Sequence, residues 1–223
     1  MKEWPEELRV ALDLAEAAGR LIVELGEQGF EQKEKADRSL VTTADLASDD
    51  LIREGLGRRF PEDGLLSEEA GWKAGTDSSV YWLIDPLDGT RAFAEGKEGY
   101  SVLIARVEAG EVVLGVVHLP GENLSFFALR GQGAYRREVG SSECERIPLS
   151  YPPRNPNISL SPSTSLPRQD DILKRTGLEL GPVIYGAGGK MMRVAEGEAD
   201  SYFSVHDLCW WDTGAPSLIL EEA

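Results

Sequence analysis

Apolar residues recur at helical spacing over the first sixty positions and in strand-like runs after that. Leu8, Ala11, Leu12, Ala15, Ile22 and Leu25 fall near one face of a helix over residues 4–26, with Pro5 in its first turn and Gly26 and Gly29 closing it. A second helix is predicted over 44–60, capped by Thr42 or Thr43, with Asp45 in its first turn and Pro61 as its stop. The period then changes. The run VYWLI over 80–84 ends at Asp85-Pro86, the pattern of a buried strand that stops abruptly. Strands over 100–107 and 111–119 flank Glu108-Ala109-Gly110, a hairpin turn, and a strand over 124–129 leads into the glycine-rich loop GQGAY. Residues 138–157, rich in Pro, Ser and Asn, read as a connection. Beyond it the pattern predicts strands over 157–160, 183–185 and 201–205, helices over 169–176 and 190–195, and a last helix that begins near Pro216. There is no internal repeat. Hairpins mixed with strand–helix alternation indicate a layered α/β or α+β architecture.

The 223 residues fit a single domain of two packed halves, 1–137 and 138–223. No apolar run approaches the ~20 residues of a membrane span, and the N-terminus MKEWPEELRV lacks the basic-then-apolar order of a secretory signal. The expectation is a cytoplasmic protein with no membrane partner. The formal net charge of -16 argues against a nucleic-acid polymer as partner. It does not exclude a small phosphorylated metabolite, which a bound cation attracts locally. With two cysteines and two histidines, both pairs far apart, any metal site must use oxygen ligands, which favours Mg²⁺ or Mn²⁺.

Four short segments carry candidate chemistry. In Asp85-Pro86-Leu87-Asp88-Gly89-Thr90, a strand delivers two carboxylates into a tight turn, where they repel unless a cation lies between them. Gly89 and Thr90 amides at a helix start suit a phosphate. Ser67-Glu68-Glu69 offers a glutamate to the same cation, or merely a solvated helix start. In Cys209-Trp210-Trp211-Asp212-Thr213-Gly214-Ala215-Pro216, Asp212 is a ligand or a helix cap. In Val41-Thr42-Thr43-Ala44-Asp45, the aspartate is a cap or a partner for a catalytic hydroxyl.

Taken together and in order, LVTTAD, SEEAG, WLIDPLDGT and WDTGAP resemble the inositol monophosphatase superfamily, over roughly residues 11–220. The superfamily includes inositol monophosphatases, fructose-1,6-bisphosphatases and 3′(2′),5′-bisphosphate nucleotidases. The resemblance implies a layered αβαβα sandwich of the α+β class, two or three Mg²⁺ ions, inhibition by lithium and, in many members, a homodimer. It implies metal ligation by Glu68, Asp85, the Leu87 carbonyl, Asp88 and Asp212. Asp45 and Thr90 become the pair that orients and helps deprotonate the attacking water, with substrate contacts from Gly89, Thr90, Ser161, Gly188 and Lys190.

The bisphosphate nucleotidase branch is the nearest in motif. KADRSLVTTAD, with Lys35 and Asp37, is similar to its K-x-D-x-SxVTxAD segment, and YGAGGKMMRVAEGEADSYF to its GGAGxK region, where Lys190 offers a cation to a second phosphate. The glutamate that inositol-specific members place some seven residues before the last aspartate is absent, and Val205 or a neighbour stands there. Two departures stand out: the loop between Arg58 and Glu68 is short, and the family usually continues for a few dozen residues beyond the position of Ala223. The expected activity is hydrolysis of 3′-phosphoadenosine 5′-phosphate to AMP and phosphate. The alternatives are an inositol or fructose bisphosphate phosphatase, or a catalytically silent regulator that binds metal or nucleotide.

Overall fold

A computed structural model describes residues 4–35, 39–147, 156–205 and 207–223. Asp37 and residues 148–155 of the expected connection over 138–157 lie outside the described residues. The first helix, α1 (Glu6–Gln28), buries Leu8, Ala11, Leu12, Ala15 and Ile22, the face its spacing predicts. A small hairpin of β1 (Gln32–Glu34) and β2 (Leu40–Thr42) leads into α2 (Thr43–Arg59). Thr42 caps α2 in a capping box with Asp45.

The centre of the molecule is an eight-stranded sheet with order β10-β9-β8-β7-β6-β5-β3-β4. Its strands are β3 (Gly64–Ser67), β4 (Gly71–Lys73), β5 (Val80–Asp88), β6 (Ser101–Glu108), β7 (Glu111–Leu119), β8 (Leu124–Leu129), β9 (Gly133–Glu138) and β10 (Glu145–Arg146). Only β3 and β5 pair in parallel, and the other neighbours are antiparallel. Between β5 and β6 stands the short α3 (Thr90–Ala94). One face of the sheet packs on α1 and α2 through Trp82, Ile84, Ile104, Val116 and Phe127. The other packs through Leu83, Leu103, Ala105, Val117 and Phe126 on α5 (Ala187–Ala195) and α6 (Trp210–Glu222). Alternation along β5, β6 and β7 divides the two cores, because successive side chains point to opposite faces.

A second, three-stranded parallel sheet has order β12-β11-β13, from β11 (Asn157–Leu160), β12 (Glu179–Val183) and β13 (Ser201–Tyr202). The chain steps outward through α4 (Leu166–Thr176), then back across β11 through α5. Helix α4 buries none of its residues, whereas α5 buries most of its own. The result is the expected mixed α+β fold of helix and sheet layers.

Several boundaries differ from the sequence pattern. Of GQGAY only Gly131 and Gln132 form a turn; Gly133 opens β9, whose Tyr-Arg-Arg-Glu stretch hides a strand that is half exposed. The strand expected over 183–185 is Glu179–Val183, exposed enough to accept Gly181 and Pro182 at a sheet edge. The helices expected from residues 169 and 190 start at Leu166 and Ala187, and the strand expected over 201–205 is only Ser201–Tyr202. The last helix starts at Trp210, so Pro216 sits inside it rather than at its entry.

Candidate active site

The β5 strand runs on through Asp88, but its register with β6 slips between Asp85 and Asp88. Asp85 pairs with Leu103 and Asp88 with Ser101, so Pro86 and Leu87 bulge out and both carboxylates are presented together. From the far end of the chain, Asp212 in the first turn of α6 meets them. The three side chains offer oxygens that all lie within 4.8 Å of one another. Asp85 and Asp88 are buried.

The electrostatics follow from that crowding. Burial and then the charges of Glu68, Asp88 and Asp212 push Asp85 well above the usual carboxylate range. Asp212 is pushed up to about 6, by burial first and by Asp88 and Glu68, against a hydrogen bond from the Cys209 N–H. Like charges this close cannot all ionise without a counter-charge. The donor set is entirely carboxylate oxygen, which fits a hard divalent cation.

Asp88 has further partners. Ala187 and Gly188 at the start of α5 donate their N–H groups to it at 2.9 and 2.7 Å, and the Ser101 hydroxyl donates at 2.8 Å. It therefore docks the N-terminus of α5 across a span of 99 residues. Gly186, at φ 70°, makes this approach possible: a Cβ there would stand 2.4 Å from the Gly99 carbonyl and 2.8 Å from Asp88 Oδ2.

Asp45 is 1% exposed, yet all its bonds are made. Its Oδ2 accepts the Thr42 N–H at 2.7 Å and the Thr42 hydroxyl at 2.5 Å, and its Oδ1 accepts the Thr90 hydroxyl at 2.8 Å. Thr90 follows Gly89, whose left-handed backbone (φ 85°) turns the chain from β5 into α3. The Thr90 hydroxyl also lies 3.1 Å from the Leu87 carbonyl. Cap and partner, the two alternatives for Asp45, are thus one arrangement.

Glu68 and Glu69 follow β3 and lead into the turn before β4, not into a helix. Lys35 donates to Glu68 at 2.8 Å and to Glu69 at 2.6 Å. Burial pulls its pKa down, but the two glutamates outweigh that and raise it. Glu68 is near enough to Asp85 and Asp212 to raise both. Lys190 is buried, its ammonium 5.2 Å from the Tyr202 ring centroid. Burial lowers its pKa and the charge of Asp88 opposes this. Ser161 lies in the loop after β11, where its hydroxyl pairs with Ser163 at 2.7 Å. The structure therefore brings together Asp45, Glu68, Asp85, Leu87, Asp88, Gly89, Thr90, Gly188 and Asp212. Lys190 lies near enough to Asp88 to feel its charge. The sequence pattern passed over Ser67, Ser101 and Asp49; Asp45, Ser48 and Asp49 at i, i+3 and i+4 was the legible signal for Asp49.

A model of the inositol monophosphatase family matches residues 4–223. The 3′(2′),5′-bisphosphate nucleotidase CysQ of Escherichia coli K12 is 34% identical over 206 residues, which cover 91% of this chain and 82% of that protein. The Nus factor SuhB of Haemophilus influenzae is 33% identical over 229 residues, covering 97% and 82%. The crystal structure of the extragenic suppressor protein suhB from Bartonella henselae superposes with a TM-score of 0.86 at 26% identity, covering 98% of this chain and 85% of that one. With the acid cluster, the Asp45–Thr90 pair and these likenesses in view, the chain belongs to the inositol monophosphatase family, a family of phosphatases.

Proposed function

We propose that the chain is a Mg²⁺-dependent 3′(2′),5′-bisphosphate nucleotidase. The observation that carries the hydrolytic reading is the meeting of Asp85, Asp88 and Asp212 beside the Asp45–Thr90 pair. The substrate assignment is supported by the 34% identity to a bisphosphate nucleotidase over most of the chain and by Lys190 on the helix that Asp88 docks.

Glu68, Asp85, the Leu87 carbonyl, Asp88 and Asp212 would hold two or three divalent ions. When bound, such ions screen the phosphate charge and lower the pKa of a nucleophilic water. The protein's own part is positional. Asp45 accepts a hydrogen bond from the Thr90 hydroxyl, which leaves a lone pair on that oxygen to accept one from the attacking water. Donation to Asp45 is the stronger of the two choices open to Thr90, because the acceptor carries charge. Gly89 and Thr90 amides hold the phosphate at the start of α3. Lys190 would meet the second phosphate, whose charge its low-dielectric setting magnifies. Gly188 and Ser161 remain proposed substrate contacts. The water attacks phosphorus in line and the alcohol leaves, so no covalent phosphoenzyme forms.

The second reading is an inositol monophosphatase, favoured by the family model itself. Phosphate release from adenosine 3′,5′-bisphosphate, inositol 1-phosphate and fructose 1,6-bisphosphate, each with Mg²⁺ and with chelator, separates the two. The expected result is the highest kcat/KM on the nucleotide, no release with chelator, and a larger loss on the nucleotide than on inositol phosphate in Lys190→Ala. Equal losses on both substrates would overturn the nucleotide assignment.

A further inference from the structure

Helix α2 carries a buried polar stripe that the reaction as described uses only in part. Asp45, Ser48 and Asp49 are 1%, 0% and 3% exposed, although they share the helix with the core residues Ile52 and Leu56. Each grips a different segment of the site. Asp45 accepts the Thr90 hydroxyl at the start of α3. Ser48 donates to the Pro86 carbonyl at 2.8 Å, inside the bulge that the β5–β6 pairing skips. Asp49 accepts the hydroxyl of Ser67, and Ser67 Oγ in turn accepts the Glu69 N–H at 3.3 Å. Ser67 is fully buried and immediately precedes Glu68.

We propose that Asp49 is a positioning residue for the cation site: through Ser67 it fixes the peptide that carries Glu68 and Glu69, and so sets the affinity for a divalent cation without touching substrate. The proposal rests on the metal-dependent reading above. A carboxylate is an expensive way merely to fill space beside Ile52, since burying charge costs unless it is paired and hydrogen-bonded. Asp49 has both forms of compensation, the Ser67 hydroxyl on one oxygen and the Arg53 guanidinium at 3.4 Å from the other. Ser67 sits at the last position of β3, so its side chain is held by the helix while its main chain leads out to Glu68. Groups that orient metal-binding carboxylates in this way change metal affinity by roughly 10–100-fold when removed.

The test uses the full chain stripped of metal, with Mn²⁺ as probe followed by electron paramagnetic resonance or calorimetry. Thermal midpoints and Mg²⁺ activation curves are measured alongside. Asp49→Ala and Ser67→Ala should each raise the Mn²⁺ Kd roughly tenfold. The Mg²⁺ concentration for half-maximal turnover should rise in parallel, with kcat at saturating Mg²⁺ held within about twofold. Asp49→Asn keeps an oxygen acceptor for Ser67 and should recover most of the affinity. Folded Asp49→Ala and Ser67→Ala proteins with the wild-type Mn²⁺ Kd would overturn the proposal, even if their midpoints fall. If Asp49→Ala does not fold, Ser67→Ala decides alone. A wild-type protein that binds no Mn²⁺ overturns the metal reading itself and the positioning role with it. Wild-type binding with indifferent variants overturns only the positioning role.

Discussion

At the scale of single residues, the site is a set of acids whose charge Lys35 and Lys190 balance only in part. Asp85 and Asp212 are both raised, and each is raised in part by the other acids around it. Asp88→Asn and Asp212→Asn keep the shape of the side chain but remove one of the clustered charges. Each is expected to lower phosphate release at limiting Mg²⁺ by at least about 100-fold while the circular dichroism spectrum stays native. His118 presents a different case. It is buried among Ser125, Glu16, Arg20 and Arg137, with Nδ1 at 3.0 Å from Ser125 Oγ, and burial lowers its pKa to about 4. The folded state therefore favours neutral His118. That stability is complete above the ordinary histidine pKa of about 6.5 and is lost as pH falls towards 4, up to roughly 3 kcal/mol in all. Urea midpoints measured from pH 7 to pH 4 should fall less steeply in His118→Gln than in the wild type.

At the scale of elements, α2 and α6 each begin with a capping box whose acid also faces the site. Thr42 and Asp45 cap α2, and Cys209 and Asp212 cap α6. A helix start fixes the rotamer of its third residue, because that side chain must reach back to the cap N–H. Thr42→Ala should cost about 1 kcal/mol by loss of the cap. It should also reduce kcat, because Asp45 loses the Thr42 hydroxyl, one of the bonds that aim it at Thr90, and keeps only the backbone N–H of residue 42. A urea denaturation curve and a kcat measured at saturating Mg²⁺ check the two effects separately. An unchanged kcat would mean that the backbone N–H of residue 42 holds Asp45 without the hydroxyl. Helix α6 contributes in a further way: Pro216 offers no N–H to the Asp212 carbonyl one turn back, which leaves that turn less tightly bonded than an ordinary one.

At the scale of the molecule, residues from α2, the β3 end, the β5 bulge and α6 converge, while α5 docks on Asp88 from behind. The site is thus built by packing α5 and α6 against the face of the large sheet opposite α1 and α2. A cation that binds the folded chain stabilises it by mass action, about 2.7 kcal/mol when present at 100 times its Kd. The thermal midpoint should therefore rise with Mg²⁺ in the wild type, and the rise should shrink sharply in Asp212→Asn. Equal rises in both proteins would mean that the ion binds elsewhere. Among the described residues no helix is long and apolar enough to cross a membrane.

The sequence by itself determined the elements whose side chains repeat with a clear period. Strand β7 was legible at both ends, since Glu111–Leu119 alternates between two cores, and α1 was legible from its single apolar stripe. It also marked acids that the fold brings together, because DPLDGT and WDTGAP place carboxylates at the turn that follows a buried strand and at the start of a helix. The short strands β3 and β4 and the half-exposed β9 were not legible, and β12 was legible only at its end, because their patterns are too brief or too polar to carry a period. Only the tertiary structure decided that Asp88 binds the amides of Ala187 and Gly188, that Lys35 bridges Glu68 and Glu69, and that Asp49 reaches Ser67. Local sequence sets how each segment bends, but such bonds join segments 18 to 100 residues apart. Their existence depends on how the sheet and its helices pack.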